Sequence, residues 1–242
     1  VSEMGVQVED GDEVLVDGKP VKPEKRRQYI LLNKPRGYVT TLSDELGRRC
    51  VAELLSDLPA RVYPIGRLDK DSEGLLLLTN DGDFANFIMH PKNHVSKTYR
   101  VTVRPDISEE QLVTLSTGVT LDDGSVTAPA QVQVESQEPG RVVLRMTIYE
   151  GKNRQIRRMC EAVSLEVARL RRVSIGPIKL GMVQPGKWRE LTPQEVGALR
   201  GAVTHENPGS AKREGDSPKP RAAAKARPRP IGKTGGKPSR RG

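Results

Sequence analysis

The chain has 242 residues, which is enough for one large domain or two modest ones. Aromatic residues make up only 3% of it, so the core has to be built mainly from aliphatic side chains. No apolar run approaches the ~20 residues that span a bilayer, and no charged-then-apolar leader opens the chain. We therefore expect a cytoplasmic protein that has no membrane partner.

The net charge of +9 is concentrated near the C-terminal end. Residues 201–242 contain 11 Lys+Arg and 3 Asp+Glu, a net of +8, whereas the preceding 200 residues contain 29 basic and 28 acidic side chains. Residues 204–242 also lack apolar periodicity and are rich in Pro, Gly and Ala, which predicts a disordered basic tail. Such a tail attracts RNA, DNA or another acidic surface without preference.

The two cysteines, Cys50 and Cys160, show no spacing typical of a metal site or a disulfide framework. The three histidines have no nearby nucleophile or ligand in the sequence. We expect reduced thiols and no bound metal.

Short apolar runs bounded by turn residues predict the strands of the first half of the chain. They form a hairpin around an Asp-Gly turn and three further strands, over residues 5–22, 29–33, 37–41 and 75–79. The last of these, LLLLT, is continuous and apolar, as expected for a strand buried on both faces. Short helices are predicted over residues 50–55 and 83–90.

Alternating patterns predict four strands in the second half, over residues 96–103, 130–135, 141–149 and 167–175. Helices are predicted over residues 109–116, 153–163 and 192–200. The first and last of these begin with capping boxes, formed by Ser108 with Gln111 and by Thr192 with Glu195. Helices scattered among alternating strands predict an α+β domain with a mixed, largely antiparallel sheet and flanking helices.

An acidic loop, Asp69-Lys-Asp-Ser-Glu73, directly precedes the strand at residues 75–79. Gly66 and Gly74 flank it and permit tight backbone geometry. Loops anchored to a rigid strand often present catalytic groups, but a charged loop can also be simply solvated. Its acids do not follow the ligand pattern of a calcium loop.

Several separated motifs resemble bacterial pseudouridine synthases of the RsuA/RluB/RluF family, and among them the RluF type most. They are NKPRGYVTT (33–41), GRLDKDSEGLLLLTNDG (66–82), KTYRV (97–101), EGKNRQIRRM (150–159) and GKWRELT (186–192). The resemblance implies that the domain holds a catalytic cleft and isomerises uridine to pseudouridine in ribosomal RNA. Large-subunit RNA is the favoured substrate and a tRNA is a second candidate.

The resemblance also implies roles for individual residues. Asp69 matches the catalytic aspartate, Tyr99 the tyrosine that stacks on the target base, and Arg157 the arginine that pairs with the aspartate. Arg67 matches an arginine near the flipped nucleotide. We predict that Asp69 and Arg157 are in direct contact.

Further cations in these motifs are predicted to contact RNA phosphates, which position RNA without reading its sequence. They are Lys34, Arg36, Arg154 and Arg158.

The implied reaction involves no redox change and no net hydrolysis, so we expect no cofactor. A carboxylate has to attack the anomeric carbon or the uracil ring, or remove a sugar proton, and the sequence leaves these routes open. An RNA glycosidase using Asp69 and Asp71 is an alternative enzyme, because glycosidases commonly use two carboxylates. A non-catalytic ribosome-assembly factor is an alternative of another class.

Three regions follow from these observations. Residues 1–22 resemble the end of a small RNA-binding module named after ribosomal protein S-four, without the helical portion that normally precedes its hairpin. Residues 28–203 form the catalytic domain and residues 204–242 the tail. We expect a monomer.

Deleting residues 206–242 should weaken RNA binding most at low salt and flatten its salt dependence. Each phosphate contact adds ~0.7–0.9 to the slope of log affinity against log salt. The single-turnover rate at saturating enzyme should stay unchanged, because the expected catalytic residues lie in the preceding domain. Binding titrations over a salt series and single-turnover assays measure the two effects. A severalfold loss of the saturated rate would place the tail in the active site.

Overall fold

A computed structural model describes residues 12–21 and 26–202. Its strands are β1 Val14–Val16, β2 Lys19–Val21, β3 Tyr29–Lys34, β4 Tyr63–Ile65, β5 Glu73–Thr79, β6 Lys97–Arg104, β7 Gln131–Glu138, β8 Arg141–Ile148, β9 Glu166–Ile175, β10 Ile178–Lys179 and β11 Trp188–Glu190. The α-helices are α1 Gly82–Met89, α2 Glu109–Thr117, α3 Gln155–Ala162 and α4 Pro193–Ala202. Short 3-10 helices cover Val51–Leu55 and Pro91–Asn93.

Nine of the strands form one mixed sheet in the order β11-β3-β5-β9-β6-β8-β7, with β4 added to β5 and β10 added to β9. Within the described residues β5 and β9 run parallel, and the other strand pairs are antiparallel. The hairpin of β1 and β2 forms a separate two-stranded sheet. The prediction of an α+β fold with a mixed, largely antiparallel sheet is confirmed.

The central strands β3 and β5 are buried on both faces. Alternate side chains point to opposite faces of a strand, so each of these strands feeds two apolar clusters. One cluster contains Ile30, Leu32, Leu76 and Leu78 together with buried residues of α2 and α3. The other contains Leu31, Leu75 and Leu77 together with buried residues of α1 and α4. This double burial explains why residues 75–79 are continuously apolar, and the prediction for that strand is confirmed.

The predicted capping boxes are present at the starts of α2 and α4. The Gln111 amide donates to Ser108 Oγ (3.2 Å), and the Ser108 amide donates to Gln111 Oε1 (2.8 Å). Thr192 and Glu195 exchange the same bonds, at 3.2 and 2.9 Å. These bonds satisfy amides that a helix start leaves without a partner, so both helices begin where predicted.

The strand predicted over residues 37–41 is wrong. Only an isolated bridge between Val39 and Cys50 is present there. The segment has the composition of a strand, but its polar groups bond to the loop that precedes β5. Strands β4 and β11, which are three residues long, were not predicted because their apolar patterns are too short.

Two further expectations concern the described residues. Cys50 and Cys160 are buried free thiols, as expected. No helix in the described ranges is long and apolar enough to cross a membrane. Residues 5–11 of the predicted hairpin and the predicted tail, 204–242, lie outside the described residues.

Gly74 allows β5 to approach β9, and replacing it should be severely destabilising. It has a φ of 105°, and a Cβ there would lie 2.2 Å from the backbone oxygen of Arg172. We expect Gly74→Ala to lower the free energy of unfolding by at least about 2 kcal/mol, because it adds backbone strain to a backbone clash. Gly197→Ala is the matched control, since Gly197 lies in α4 with open space around it. It should be stabilising by up to about 1 kcal/mol. Denaturant unfolding measures both, and a Gly74→Ala protein as stable as the wild type would contradict this account.

Candidate active site

The acidic loop connects β4 to β5, at the start of the most deeply buried strand of the sheet. Gly66 begins the loop with a φ of 77°. Leu68 is buried, whereas Asp69 and Asp71 are half-buried. The buried leucine anchors the loop in the apolar core and leaves the two carboxylates at its surface.

The backbone carbonyls of this loop are held one after another. Thr40 Oγ1 donates to the carbonyl of Leu68 (2.7 Å), and the Gly37 amide donates to that of Lys70 (2.7 Å). The carbonyls of Asp69, Asp71 and Ser72 also accept hydrogen bonds from side chains. Each carbonyl from residue 68 to residue 72 therefore has a donor. The end of β3, the segment that follows it and α3 thus support the loop together.

Lys34 is the main support, and this corrects its predicted role. It is 0% exposed, and its Nζ donates to the carbonyls of Asp69 (2.9 Å), Ser72 (2.7 Å) and Pro35 (3.3 Å). Burial lowers the pKa of Lys34 to about 8, although the nearby charges of Asp69 and Asp71 oppose this shift. A fully buried ammonium cannot contact an RNA phosphate, so the prediction of a phosphate contact is wrong.

Two arginines of the α3 region face the carboxylates, but not in the predicted pairing. Arg154 Nη1 lies 3.4 Å from Asp69 Oδ2 and 3.6 Å from Asp71 Oδ1. Arg157 Nη2 lies 3.2 Å from Asp71 Oδ2 and also donates to the Asp71 carbonyl. The predicted direct contact between Asp69 and Arg157 is therefore wrong in this structure. Arg154 adopts a φ of 46° at the residue before α3, which is uncommon for a residue other than glycine.

A cavity of about 660 Å³ opens beside the loop. Arg67, Asp69, Tyr99 and Arg154 line it, whereas Arg157, Lys34, Arg36 and Arg158 lie outside its lining. Tyr99 is buried in the sheet, and its hydroxyl lies 3.4 Å from Arg172 Nη1. The cavity has the size typical of a small-molecule pocket, and it brings together a carboxylate, an aromatic ring and cations.

The remaining predicted RNA contacts differ in their surroundings. Arg36 and Arg67 are exposed, and the Arg154 side chain is 46% exposed. Arg158 is bound to both Asp122 and Asp123, the latter at 2.7 Å. Because these two carboxylates neutralise Arg158, the structure offers it little support as a phosphate contact.

Two cavity residues, Lys97 and Arg172, were not predicted. Lys97 precedes Tyr99 by two positions in β6, and Arg172 lies opposite Tyr99 in β9. A signal existed, because Arg172 falls two residues after Leu170 in an alternating strand and so shares its buried face. Charged residues are rarely fully buried, which is why the alternating pattern alone did not identify Arg172 as a cavity residue.

Lys34→Met should loosen the loop, because it removes the donor that three carbonyls share. We expect amide exchange at Ser72 and Gly37 to accelerate at least about tenfold, as local opening becomes easier. Lys179→Met is the control, since Lys179 is exposed and is not part of the cavity lining. Hydrogen exchange followed by NMR measures this. Unchanged exchange at both amides would show that the loop is held without Lys34.

Comparison with known proteins agrees with this geometry. The family model described as RNA pseudouridylate synthase matches residues 28–162. The chain is 44% identical over 207 residues to ribosomal large subunit pseudouridine synthase B of Bacillus subtilis (strain 168), which covers 85% of this chain and 84% of that protein. It is 39% identical over 245 residues to the dual-specificity RNA pseudouridine synthase RluF of Escherichia coli (strain K12), covering 99% and 81%.

A solved structure shares the fold as well. The chain superimposes on a crystal structure of a pseudouridylate synthase with a TM-score of 0.69 and 31% identity, covering 82% of this chain and 85% of that one. The two identities above do not favour the RluF type over the RluB type, since the shorter match is the more similar one. The chain belongs to the pseudouridine synthases of the RsuA/RluB/RluF family and is an RNA pseudouridine synthase.

Proposed function

We propose that this enzyme isomerises a uridine of ribosomal RNA with Asp69 as its catalytic carboxylate. The observation that carries the proposal is that a single carboxylate of the acidic loop reaches the cavity. Of the three acids in the loop, Asp69 lines the cavity, whereas Asp71 and Glu73 do not. Asp69 therefore has the position from which a carboxylate can reach a bound nucleotide.

The chemistry needs no external reagent. The bond between the anomeric carbon and N1 of uracil breaks, and a bond from that carbon to C5 forms. The C5 proton leaves, and N1 gains a proton. Attack of Asp69 on the anomeric carbon or on the ring, or removal of a sugar proton, would each allow this exchange. Arg154 Nη1 lies 3.4 Å from Asp69 Oδ2, so a positive charge faces the carboxylate that every route requires.

Tyr99 and Arg157 act in different ways in this proposal. Tyr99 offers an aromatic face on which the flipped uracil stacks, and such stacking returns ~1–3 kcal/mol of the unstacking cost. Arg157 is a positioning residue, because it binds the side chain and the backbone of Asp71 rather than the cavity. Its contact stabilises the loop that carries Asp69.

The relatives and the exposed charge support a choice of substrate. One relative is named for the large ribosomal subunit and another for dual specificity. We therefore place a large-subunit uridine first, and a tRNA uridine stays the second candidate that the family resemblance implies. Arg36, Arg67 and Arg154 are exposed, and they would contact phosphates. The enzyme acts as a monomer in the cytoplasm, where its RNA substrates are.

The two alternatives are less well supported. A glycosidase that used Asp69 and Asp71 would need both carboxylates at the scissile bond. Asp71 lies outside the cavity lining and is paired with two arginines. Glu150 does line the cavity, but its Oε1 accepts bonds from the Ala128 amide and from Gln155 Nε2. A non-catalytic assembly factor would have no use for a carboxylate held in such a cavity.

Asp69→Asn should reduce the single-turnover rate by at least about 1,000-fold, because the amide keeps the shape but cannot act as nucleophile or base. Asp71→Asn is the matched control in the same loop. It should retain the rate within about tenfold, since Asp71 only positions the loop.

Pseudouridine formation on a ribosomal RNA transcript under single-turnover conditions measures both variants. RNA affinity and thermal stability are measured in parallel, and Asp69→Asn should change neither appreciably. Substantial product formation by Asp69→Asn would refute the assignment. Release of free uracil by the wild type would favour the glycosidase.

A further inference from the structure

We propose that Arg172 and Lys97 form a cationic floor in the cavity, which binds the carbonyl oxygens of the uracil and stabilises the negative charge that the base carries during isomerisation. The inference rests on the proposed function and adds two catalytic residues to it. Neither belongs to the acidic loop or to α3.

Adjacent strands bring the two cations together. Lys97 and Tyr99 are two positions apart in β6, so their side chains leave the same face of the sheet. Arg172 lies directly opposite Tyr99 in β9. All three residues line the cavity. The base that stacks on Tyr99 would therefore meet both cations.

The guanidinium of Arg172 is only partly satisfied. Arg172 is 3% exposed, its Nε donates to the Leu75 carbonyl (2.7 Å), and its Nη1 lies 3.4 Å from the Tyr99 hydroxyl. Its Nη2 is buried and has no hydrogen-bond partner among the described residues. A buried donor without a partner is costly, and a donor of this kind in the lining of a cavity is available to a ligand.

Lys97 adds a second cation without a matching anion. Its Nζ donates to the Val95 carbonyl (3.2 Å), and no ion pair within the described residues involves Lys97 or Arg172. Burial, together with the charge of Arg172, lowers the pKa of Lys97 to about 8. A buried cation beside a half-buried one, neither with an ion-pair partner, disfavours the folded state, and an anionic ligand would relieve this.

The reaction supplies such an anion. When the bond from the anomeric carbon to N1 breaks, its electron pair stays on the base and spreads over O2 and O4. Attack on the carbon–carbon double bond of the ring also places charge on O4, through the conjugated C4 carbonyl. The second bond then forms at C5, which returns the electron pair to the sugar carbon. Preorganised cations act strongly on charge that appears only during the reaction, so they lower the barrier rather than merely tightening binding.

Lys97 variants test this inference, because the rate and the stability should move in opposite directions. Lys97→Met keeps the length of the side chain and removes the charge. It should lower the saturated single-turnover rate at least about 30-fold, by analogy with the loss of one stabilising donor. Its melting temperature should stay unchanged or rise, since a desolvated charge is removed. Lys97→Arg restores the charge and should remain within about fivefold of the wild type.

Arg172→Lys is a second test, and Lys179→Met is the control. Arg172→Lys keeps the positive charge but loses the planar guanidinium, which can donate two parallel hydrogen bonds. It should slow the saturated rate at least about tenfold. The Lys179→Met protein should behave as the wild type, because Lys179 is exposed outside the cavity. Each protein is assayed on the same ribosomal RNA transcript, with RNA affinity and melting temperature measured alongside.

Three results would overturn the cationic floor. They are an unchanged rate in Lys97→Met, equal losses in Lys97→Met and Lys97→Arg, or a rate loss matched by a fall in melting temperature. Wild type and Asp69→Asn in the same assay separate this inference from the proposed function. Product from the wild type and none from Asp69→Asn uphold the proposed function whatever Lys97 does. No product from the wild type overturns both.

Discussion

The buried ammonium of Lys34 is the contact on which the site depends. It lies at the end of β3, the strand paired with β5 in the centre of the sheet, and it binds three carbonyls around the loop. The acidic loop carries three carboxylates within five residues, and like charges so close together repel one another. Lys34 holds the backbone, while Arg154 and Arg157 neutralise the side chains. The position of Asp69 is thus determined by the core of the domain rather than by the loop itself.

The same region collects charges that oppose folding. Lys34, Lys97 and Arg172 are buried or largely buried cations, and burial lowers the pKa of both lysines to about 8. Their costs differ in kind, however. The cost of burying the Lys34 ammonium is offset by its hydrogen bonds to three carbonyls, so Lys34 is a structural support of the loop. Arg172 keeps an unpartnered nitrogen, and Lys97 has a single carbonyl. Buried charged groups that lack such partners often mark functional sites, because selection tolerates a loss of stability where the activity requires it.

Much of the fold could be predicted from local pattern, and much of the site could not. The run LLLLT predicted a doubly buried strand because burial on both faces removes alternation, and the capping boxes predicted two helix starts because their bonds are local. Residues 37–41 were misread, since their strand-like composition does not reveal that their polar groups bond to a loop thirty residues away. The resemblance paired Arg157 with Asp69, and nothing in the local pattern showed that Arg154 reaches Asp69 instead. Lys34 was misjudged and Arg172 was not identified, because lysine and arginine are seldom buried.

A pseudouridine map of cellular RNA tests the central claim, that Asp69 held in this loop is the catalytic carboxylate. Ribosomal and transfer RNA would be compared between cells with the wild-type gene, cells without it, and cells whose chromosomal copy encodes Asp69→Asn at equal protein abundance. We predict that the deletion removes at least one pseudouridine from ribosomal RNA and that Asp69→Asn removes the same set. A site that survives in the Asp69→Asn cells but not in the deletion cells would contradict the claim.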